Sequence, residues 1–394
     1  MTLQVRNYVN PQVTTTTYQY DDLNRLTQAD LENAGTNPNY NIKNWTYNWL
    51  GNIVSSPDKG FYTYAGNTGG SFANPDAVTS NASSSYSYDN NGNLLTGDNF
   101  TNTWDYRNRL TQSQLNGTTT SYLYDVNDER IALGANGATT TYPFKLYNVQ
   151  GNTIYKHIFA NGEPVADIKG STSTAAVYYI HDDHLGGSSV ISDANANVAQ
   201  VLEYYPFGGT RLDQRPDNTF NEQRRSDGHE FDAGTGLLYQ DARYLGPTLG
   251  RFLSEDPAFL DLGVDQNTRQ LLDDPQLQNA YSYTRNNPII KRDPDGKFVE
   301  DLCVVECGLL LAGAGLGIFE TYATNPNATP AQYAVGAAGG SVQLAYAGES
   351  IIGNGAVAFL TSLTQDKAGG EPLNFPKATI NGLTNAIGIS YFRR

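Results

Sequence analysis

The chain of 394 residues is acidic, with a formal net charge of -15 at pH 7, and only 16% of its residues are charged. A surface that binds nucleic acid needs clustered lysine and arginine, so this balance argues against nucleic acid as a partner of the tyrosine-rich region. Its 27 tyrosines and 39 glycines, with abundant Asn and Thr, favour strands joined by tight turns, and we expect a mainly β fold with a sizeable core.

The N-terminal twenty residues show no basic start followed by an apolar run, so no signal peptide is predicted in this fragment. They lead directly into repeated sequence, and we expect the chain to be the end of a longer protein. The most apolar stretch, residues 302–319, contains Glu306 and several glycines and is a marginal membrane span. The two cysteines, Cys303 and Cys307, suit neither a disulfide framework nor a four-ligand zinc site.

A short unit recurs along the first third of the chain: two aromatic residues two positions apart, an Asp or Asn, a turn, and a returning strand. Side chains at i and i+2 point to the same face of a strand, so the aromatic pair marks one face. The Asp-x-x-Asn or Asn-Asn-Gly that follows predicts a turn capped by a side chain or built on a positive φ. One hairpin is marginal alone, so we expect neighbouring units to pair into a continuous sheet. The copies, one of them looser, begin at Tyr18, Thr46, Tyr86, Trp104 and Tyr122.

Three segments near residue 296 predict a reactive site. Residues 250–257 read Gly-Arg-Phe-Leu-Ser-Glu-Asp-Pro, residues 281–288 read Tyr-Ser-Tyr-Thr-Arg-Asn-Asn-Pro, and residues 293–296 read Asp-Pro-Asp-Gly. Two Asp-Pro units thus flank an Asn-Asn-Pro turn, and the composition changes immediately afterwards. This arrangement predicts two carboxylates that meet beside a peptide bond which the chain cuts itself. The alternative is that each Asp-Pro unit only caps a turn, because Asp and Pro are common turn formers.

The ordered motifs resemble the Rhs/YD-repeat (teneurin-like) superfamily over most of residues 15–296. Besides the repeats, the resemblance is carried by residues 74–80, 178–186, 193–195, 204–208, 235–239 and 242–244. It implies a YD-repeat β-sheet at 1–150 that curls into a partial shell or barrel. It also implies an Rhs repeat-associated core at 151–296 that plugs the shell, followed by a variable C-terminal toxin-like or pretoxin region at 297–394.

In that family the shell encloses a C-terminal toxin, which the core frees by aspartyl self-cleavage. The resemblance implies that Asp256 and Asp293 are the catalytic pair and that Arg251 holds a carboxylate or stabilises charge. Such a pair shares one proton and titrates as a unit, with one ionised carboxyl to activate water. Two departures from the family pattern bear on cleavage: Lys297 replaces the usual Leu, and the spacer at 259–278 is longer and more acidic. The predicted cut lies just after Gly296, within Gly296, Lys297 and Phe298.

No metal and no cofactor is predicted. The cluster His181, Asp182, Asp183 and His184 contains residue types that bind zinc, but its spacing is tight for a strand, and we expect it to make structural hydrogen bonds. The same expectation applies to Asp227, His229 and Glu230. Residues 297–394 alternate Ala-rich and Gly-rich apolar runs, which favours small helices. Since they contain no histidine, a His-dependent nuclease or a Cys-His protease is excluded there.

Three functions remain open at this point. The first is a self-cleaving shell, secreted or on a bacterial cell surface, whose cargo is its own C-terminal segment. Its further partners would be an upstream secretion or toxin-complex component and an immunity protein. The second is a non-enzymatic surface protein whose Tyr and Trp faces bind glycans or neighbouring cells. The third is a membrane-inserting tail. A buried tyrosine face would argue against the second.

Overall fold

The computed structural model describes residues 2–6, 13–31, 42–64, 74–160, 163–171, 175–216, 218–261, 276–297 and 299–301. In these ranges the chain is mainly β, as predicted, with helical structure confined to short 3-10 turns. Residues 1–158 and 164–300 form one compact unit, and residues 159–163 and 301–394 form a second. The predicted helices of the C-terminal region lie outside the described residues. Within the described ranges, no helix is long and apolar enough to cross a membrane.

The largest sheet has fourteen strands, and each strand lies beside its neighbours in sequence. It continues across residues 150 and 151, so the predicted domain boundary there does not interrupt it. The sheet ends at β8 and β21 and does not close into a barrel among the described strands. Its strands are β8 (Ser87–Tyr88), β9 (Leu94–Gly97), β10 (Phe100–Trp104), β11 (Leu110–Leu115), β12 (Thr118–Tyr124), β13 (Arg130–Ala135), β14 (Ala138–Phe144), β15 (Tyr147–Gln150), β16 (Thr153–Ala160), β17 (Glu163–Lys169), β18 (Ala176–Asp182), β19 (Ser188–Asp193), β20 (Val198–Tyr204) and β21 (Thr210–Gln214).

Smaller sheets precede and follow it. The first contains β1 (Thr2–Arg6), β2 (Val13–Tyr20), β3 (Leu26–Leu31) and β4 (Ile42–Asn44), and the second contains β5 (Thr46–Tyr47), β6 (Ile53–Ser56) and β7 (Gly60–Phe61). A four-stranded sheet of β22 (Glu230–Asp232), β23 (Leu237–Gln240), β24 (Arg243–Gly246) and β25 (Arg251–Phe252) follows. The remaining elements are β26 (Lys291–Arg292), β27 (Glu300–Asp301) and 3-10 turns at Ser226–Gly228, Pro257–Asp261 and Thr284–Asn286.

One turn recurs through the repeats and confirms the predicted turn chemistry. In the first copy the carboxylate of Asp21 accepts hydrogen bonds from the backbone N–H groups of Leu23, at 3.0 Å, and Arg25, at 2.9 Å. Asn24, three residues after the Asp, has a φ of 58° in the left-handed region, which Asn tolerates better than most residues. The same pair of side-chain hydrogen bonds occurs at Asn48, Asp89, Asp105, Asp125, Asp183 and Asp193.

Consecutive turns are also joined to each other. The fifth residue of a turn reaches the next turn along the chain: Nη1 of Arg25 donates to the Asn48 carbonyl at 2.8 Å, and Nη1 of Arg109 donates to the Asp125 carbonyl at 3.0 Å. Nδ2 of Asn93 makes the corresponding bond to Oδ1 of Asn108 at 2.9 Å. These bonds fix the spacing of successive hairpins at one edge of their sheets.

The repeated aromatic face is directed into the core. Tyr86 and Tyr122 are buried, and their partners Tyr88 and Tyr124 pack against the same apolar cluster, which also contains Tyr244 and other residues of the four-stranded sheet. Burial of such large side chains is the main stabilising term of this region. The most exposed aromatic side chains, Trp49 and Tyr106, lie instead at turn tips. Among the residues that the structure describes, the repeat faces therefore do not form an exposed aromatic stripe.

Candidate functional site

Two of the predicted site residues, Asp256 and Asp293, meet at a single arginine. Arg243, at the start of β24, places Nη2 2.9 Å from Oδ2 of Asp256 and 3.1 Å from Oδ2 of Asp293. The guanidinium lies over the ring of Phe252, 3.6 Å from its centroid, and Nη1 donates to the Ala280 carbonyl at 3.3 Å. A planar cation with several donors can serve both carboxyl groups at once. The structure thus brings the two acidic residues together through Arg243.

Asp256 combines a turn-capping role with its place in this site. Its Oδ1 accepts the backbone N–H of Ala258 at 2.9 Å, at the start of the 3-10 turn Pro257–Asp261. Its own N–H donates to the Ala280 carbonyl at 3.0 Å, which fixes the loop against the segment that leads to Asp293. Oδ2 remains directed at Arg243. The turn-capping contact and the contact with Arg243 therefore use different oxygens of the same carboxyl group.

The predicted cleavage junction lies against the same arginine. Nε of Arg243 donates to the carbonyl oxygen of Gly296. The backbone N–H of Lys297 donates to Oδ1 of Asp295 at 3.0 Å, and the Asp295 carbonyl accepts the N–H of Ala242 at 3.2 Å. Gly296 has a φ of 71°, and a Cβ there would collide with the carbonyl oxygen of Gln240. Only glycine fits this position, so the junction is held closely on the hairpin between β23 and β24.

Burial sets the protonation of the acidic pair. It raises the pKa of Asp293 to about 7, an effect that Arg243 opposes and that the charges of Asp256 and Asp295 reinforce. Burial also raises the pKa of Asp256, again opposed by Arg243. The Asp293 side chain is fully buried, and its Oδ1 has no hydrogen-bond partner among the described residues. Near neutral pH one carboxyl group can therefore carry a proton while the other is ionised.

A cleft of about 620 Å³ leads to Asp256 from one side. Its walls include Asp256, Asp295 and Lys297, together with turn residues of the repeats such as Arg109 and Asp128. Asp293 is not part of this lining. Solvent therefore has a route to the Asp256 carboxyl group, whereas Asp293 stays inside the protein.

The structure corrects the role predicted for Arg251. This buried arginine makes no contact with Asp256 or Asp293. Its Nη2 donates to Oδ1 of Asn52 at 3.0 Å, to Oδ1 of Asn279 at 2.9 Å and to the Asp76 carbonyl at 2.9 Å. Arg251 therefore ties the core sheet to the repeat region, and Arg243 is the site arginine that sequence reasoning missed. Arg243 lies in one of the motifs that carry the family resemblance, residues 242–244, but nothing local indicates which of two core arginines faces the carboxylates.

The histidine clusters make hydrogen bonds, as expected. Nε2 of His181 lies 3.0 Å from Oγ of Ser192, and Nε2 of His184 donates to the Ile289 carbonyl at 2.7 Å. Nε2 of His229 donates to the Asp293 carbonyl at 3.1 Å. In the part of the chain that the structure covers, no three His, Cys, Asp or Glu side chains are grouped to hold a metal ion. Phe298, Cys303 and Cys307 lie outside the described residues.

Comparison with known proteins agrees with the sequence resemblance. A family model described as teneurin YD-shell matches residues 2–289. The tRNA3(Ser)-specific nuclease WapA of Bacillus spizizenii is 29% identical over 315 residues, which cover 77% of this chain and 12% of that protein. Toxin subunit YenC1 of Yersinia entomophaga is 29% identical over 203 residues, which cover 45% of this chain and 19% of that protein.

Among solved structures, the crystal structure of TcdB2-TccC3-Cdc42 matches with a TM-score of 0.44 and 20% identity, covering 75% of this chain and 18% of that chain. The chain thus spans less than a fifth of the length of each of these three proteins. The family match, by contrast, extends over most of the chain, from the first sheet to the segment before Asp293. The chain therefore belongs to the teneurin YD-shell family.

Proposed function

We propose that this chain is the C-terminal part of an Rhs-type polymorphic toxin, whose β-shell cuts its own backbone after Gly296 and releases an effector that begins at Lys297. The observation that carries the proposal is the arginine junction: Arg243 contacts Asp256, Asp293 and the Gly296 carbonyl oxygen together. The relatives named nuclease WapA and toxin subunit YenC1 support a toxin assignment. Burial of the tyrosine face argues against the glycan-binding alternative.

The geometry supports a distinct role for each carboxyl group. Asp256 lies at the cleft, so in its ionised form it takes a proton from a water molecule whose oxygen attacks the Gly296 carbonyl carbon. Nε of Arg243 stabilises the negative charge that develops on the carbonyl oxygen. The C–N bond then breaks, and Asp293 gives its proton to the nitrogen of Lys297. The backbone N–H of Lys297 lies close enough to lower the pKa of Asp293. The pair ends with one proton, now on Asp256, so that atoms and charges balance.

Because the substrate is the chain itself, each molecule turns over once and positioning supplies much of the rate. The test is intact-mass spectrometry of the freshly purified 394-residue chain during incubation at neutral pH. We expect a fragment that begins at Lys297 from the wild type, and only the full-length mass from Asp256→Asn and Asp293→Asn. Asp58→Asn, at an exposed ion pair with Lys43, is the matched control and should cleave like the wild type. A wild-type chain that stays intact for days contradicts the proposal.

The remaining parts of the proposal concern the whole protein. The cargo is the chain's own segment from Lys297 onward, and its expected partners are an upstream secretion or toxin-complex component and an immunity protein that neutralises the effector. The expected location is the bacterial surface or the medium. Expression of residues 297–394 alone in bacteria tests the effector: growth arrest supports toxicity, and unaffected growth removes this part of the proposal.

A further inference from the structure

The backbone of Asp293 is held on both sides by residues that the proposed chemistry does not use. Nε2 of His229 donates to the Asp293 carbonyl at 3.1 Å, and the Asp293 N–H donates to Oδ2 of Asp227 at 3.4 Å. Oδ2 of Asp227 also accepts the hydroxyl of Tyr283 at 3.1 Å. All four residues are buried. Asp227, His229 and Tyr283 therefore hold the backbone of Asp293 in a region from which solvent is excluded.

The protonation of His229 fits this contact. A carbonyl oxygen can only accept a hydrogen bond, so the imidazole must carry its proton on Nε2. Burial lowers the pKa of His229 to about 4, so the ring is neutral near neutral pH. Asp227 reaches its position through a left-handed backbone conformation, with a φ of 58°. This conformation is uncommon for a residue other than glycine, and Asp and Asn adopt it more readily than most.

A second histidine provides an internal comparison. Nε2 of His184 donates to the Ile289 carbonyl at 2.7 Å, four residues before Asp293 on the same segment. Both imidazoles thus fix the segment that carries the buried carboxyl group, but only His229 contacts the backbone of Asp293 itself. Strand β26 (Lys291–Arg292) lies between the two contacts.

We propose that His229, supported by Asp227 and Tyr283, is a positioning residue that sets the location of the Asp293 carboxyl group for cleavage. This inference rests on the proposed self-cleavage. Fixing both peptide groups of Asp293 limits rotation of its backbone, and so the side chain stays within reach of Arg243 and of the Lys297 nitrogen. A displacement of about 1 Å at such a site can lower a rate roughly 100-fold.

The test compares four single variants in the 394-residue chain by the rate constant of self-cleavage and by thermal melting. His229→Phe keeps the ring volume but removes the donor, and we expect cleavage to slow roughly 10- to 100-fold. His229→Gln places an amide nitrogen the same number of bonds from Cβ, and we expect a rate within about 3-fold of the wild type. His184→Phe removes the neighbouring contact, and we expect a loss of less than about 3-fold. Asp256→Asn removes a proposed catalytic carboxyl group, and so it tests the self-cleavage itself independently of the positioning role.

Each outcome has one meaning. If Asp256→Asn abolishes cleavage but His229→Phe cleaves at the wild-type rate, the positioning role fails while the self-cleavage proposal stands. If Asp256→Asn cleaves normally, the self-cleavage proposal itself fails. Equal losses in His229→Phe and His184→Phe without rescue by Gln overturn the inference, because they indicate general loosening of the segment. If His229→Phe melts well below the wild type, the rate of His229→Gln decides: a rate near that of the wild type supports the positioning role, and a loss equal to that of His229→Phe overturns it.

Discussion

Replacing Arg243 with Lys tests whether the forked guanidinium is what joins the carboxyl pair to the cleavage junction. Arg243 reaches Asp256 and Asp293 through Nη2 and the Gly296 carbonyl through Nε, so three oxygens depend on one planar group. A lysine keeps the charge but offers a single nitrogen, which cannot occupy the positions of both Nη2 and Nε. The most direct loss is therefore the donor to the Gly296 carbonyl oxygen.

The expected size of the effect follows from that loss. Removing one donor to a developing oxyanion lowers a rate by about 100- to 1,000-fold, or roughly 3–4 kcal/mol in the activation free energy. The free energy of unfolding should fall less, because lysine keeps a positive charge beside the pair and a buried carboxyl group that loses its contact can take up a proton instead of remaining charged. We therefore expect Arg243→Lys to remain folded at neutral pH and to accumulate as the uncleaved chain.

The assay follows the loss of the full-length band on denaturing gels over time, with a urea unfolding curve for each variant. Arg215→Lys is the matched control, since this arginine pairs with Asp213 at a partly exposed position and does not line the cleft. Such a pair contributes at most about 1 kcal/mol to stability and nothing to the junction. Cleavage by Arg243→Lys within about 3-fold of the wild type would refute the assignment of Arg243 as the oxyanion donor.

Three further predictions follow from the same contacts. The proposed cleavage needs Asp293 in its protonated form, so its rate should fall as pH rises through about 7. A rate that stays flat over about one pH unit on each side of that pKa contradicts the acid role. The same raised pKa means that the folded chain holds a proton that the unfolded chain loses above the ordinary Asp value of 3.8. In the Asp256→Asn background, which should not cleave, the charge of Asp256 no longer raises the pKa of Asp293, so the free energy of unfolding in urea should decrease from about pH 4 up to a pH below about 7. Adding Asp293→Asn should reduce that decrease, and an unchanged slope of stability against pH would contradict this prediction. Gly296→Ala should lower the free energy of unfolding by more than the roughly 1 kcal/mol expected for a positive φ alone. Gly117→Ala is the control, because φ is also positive there but no atom lies within 4 Å of the added Cβ. Equal losses in the two variants would show that the contact with Gln240 has no effect.

The repeats show how much of the fold could be predicted locally. The Asp at the start of each clear turn and the Asn, Gly or Asp of positive φ at its fourth position act within five residues of each other, directly after the aromatic pair. The turn that Asp21, Leu23, Asn24 and Arg25 form in the first copy therefore recurs at the corresponding positions of each clear copy. Antiparallel pairing of successive strands follows, because tight turns join neighbours directly.

The site was predictable only in part. The family resemblance indicated Asp256, Asp293 and Gly296, and the structure places all three around one side chain. The resemblance could not indicate that Arg243, and not Arg251, contacts the two carboxyl groups, because both are buried arginines in motifs of the family. Nor could it reveal that Oδ1 of Asp256 caps a turn while Oδ2 faces the arginine.

Local patterns in the chain predict the repeat hairpins, their turns and the family, because hydrogen bonds between near neighbours and the conformational preferences of Asn, Asp and Gly are local. Which charged side chains form ion pairs depends on the packing of segments that are distant in sequence. Arg243 and Asp293 are 50 residues apart along the chain, and they meet only because β24 and the segment after β26 pack into one core. The high pKa of Asp293 has the same origin, since it comes from the removal of water by packing and cannot be assigned to any residue type.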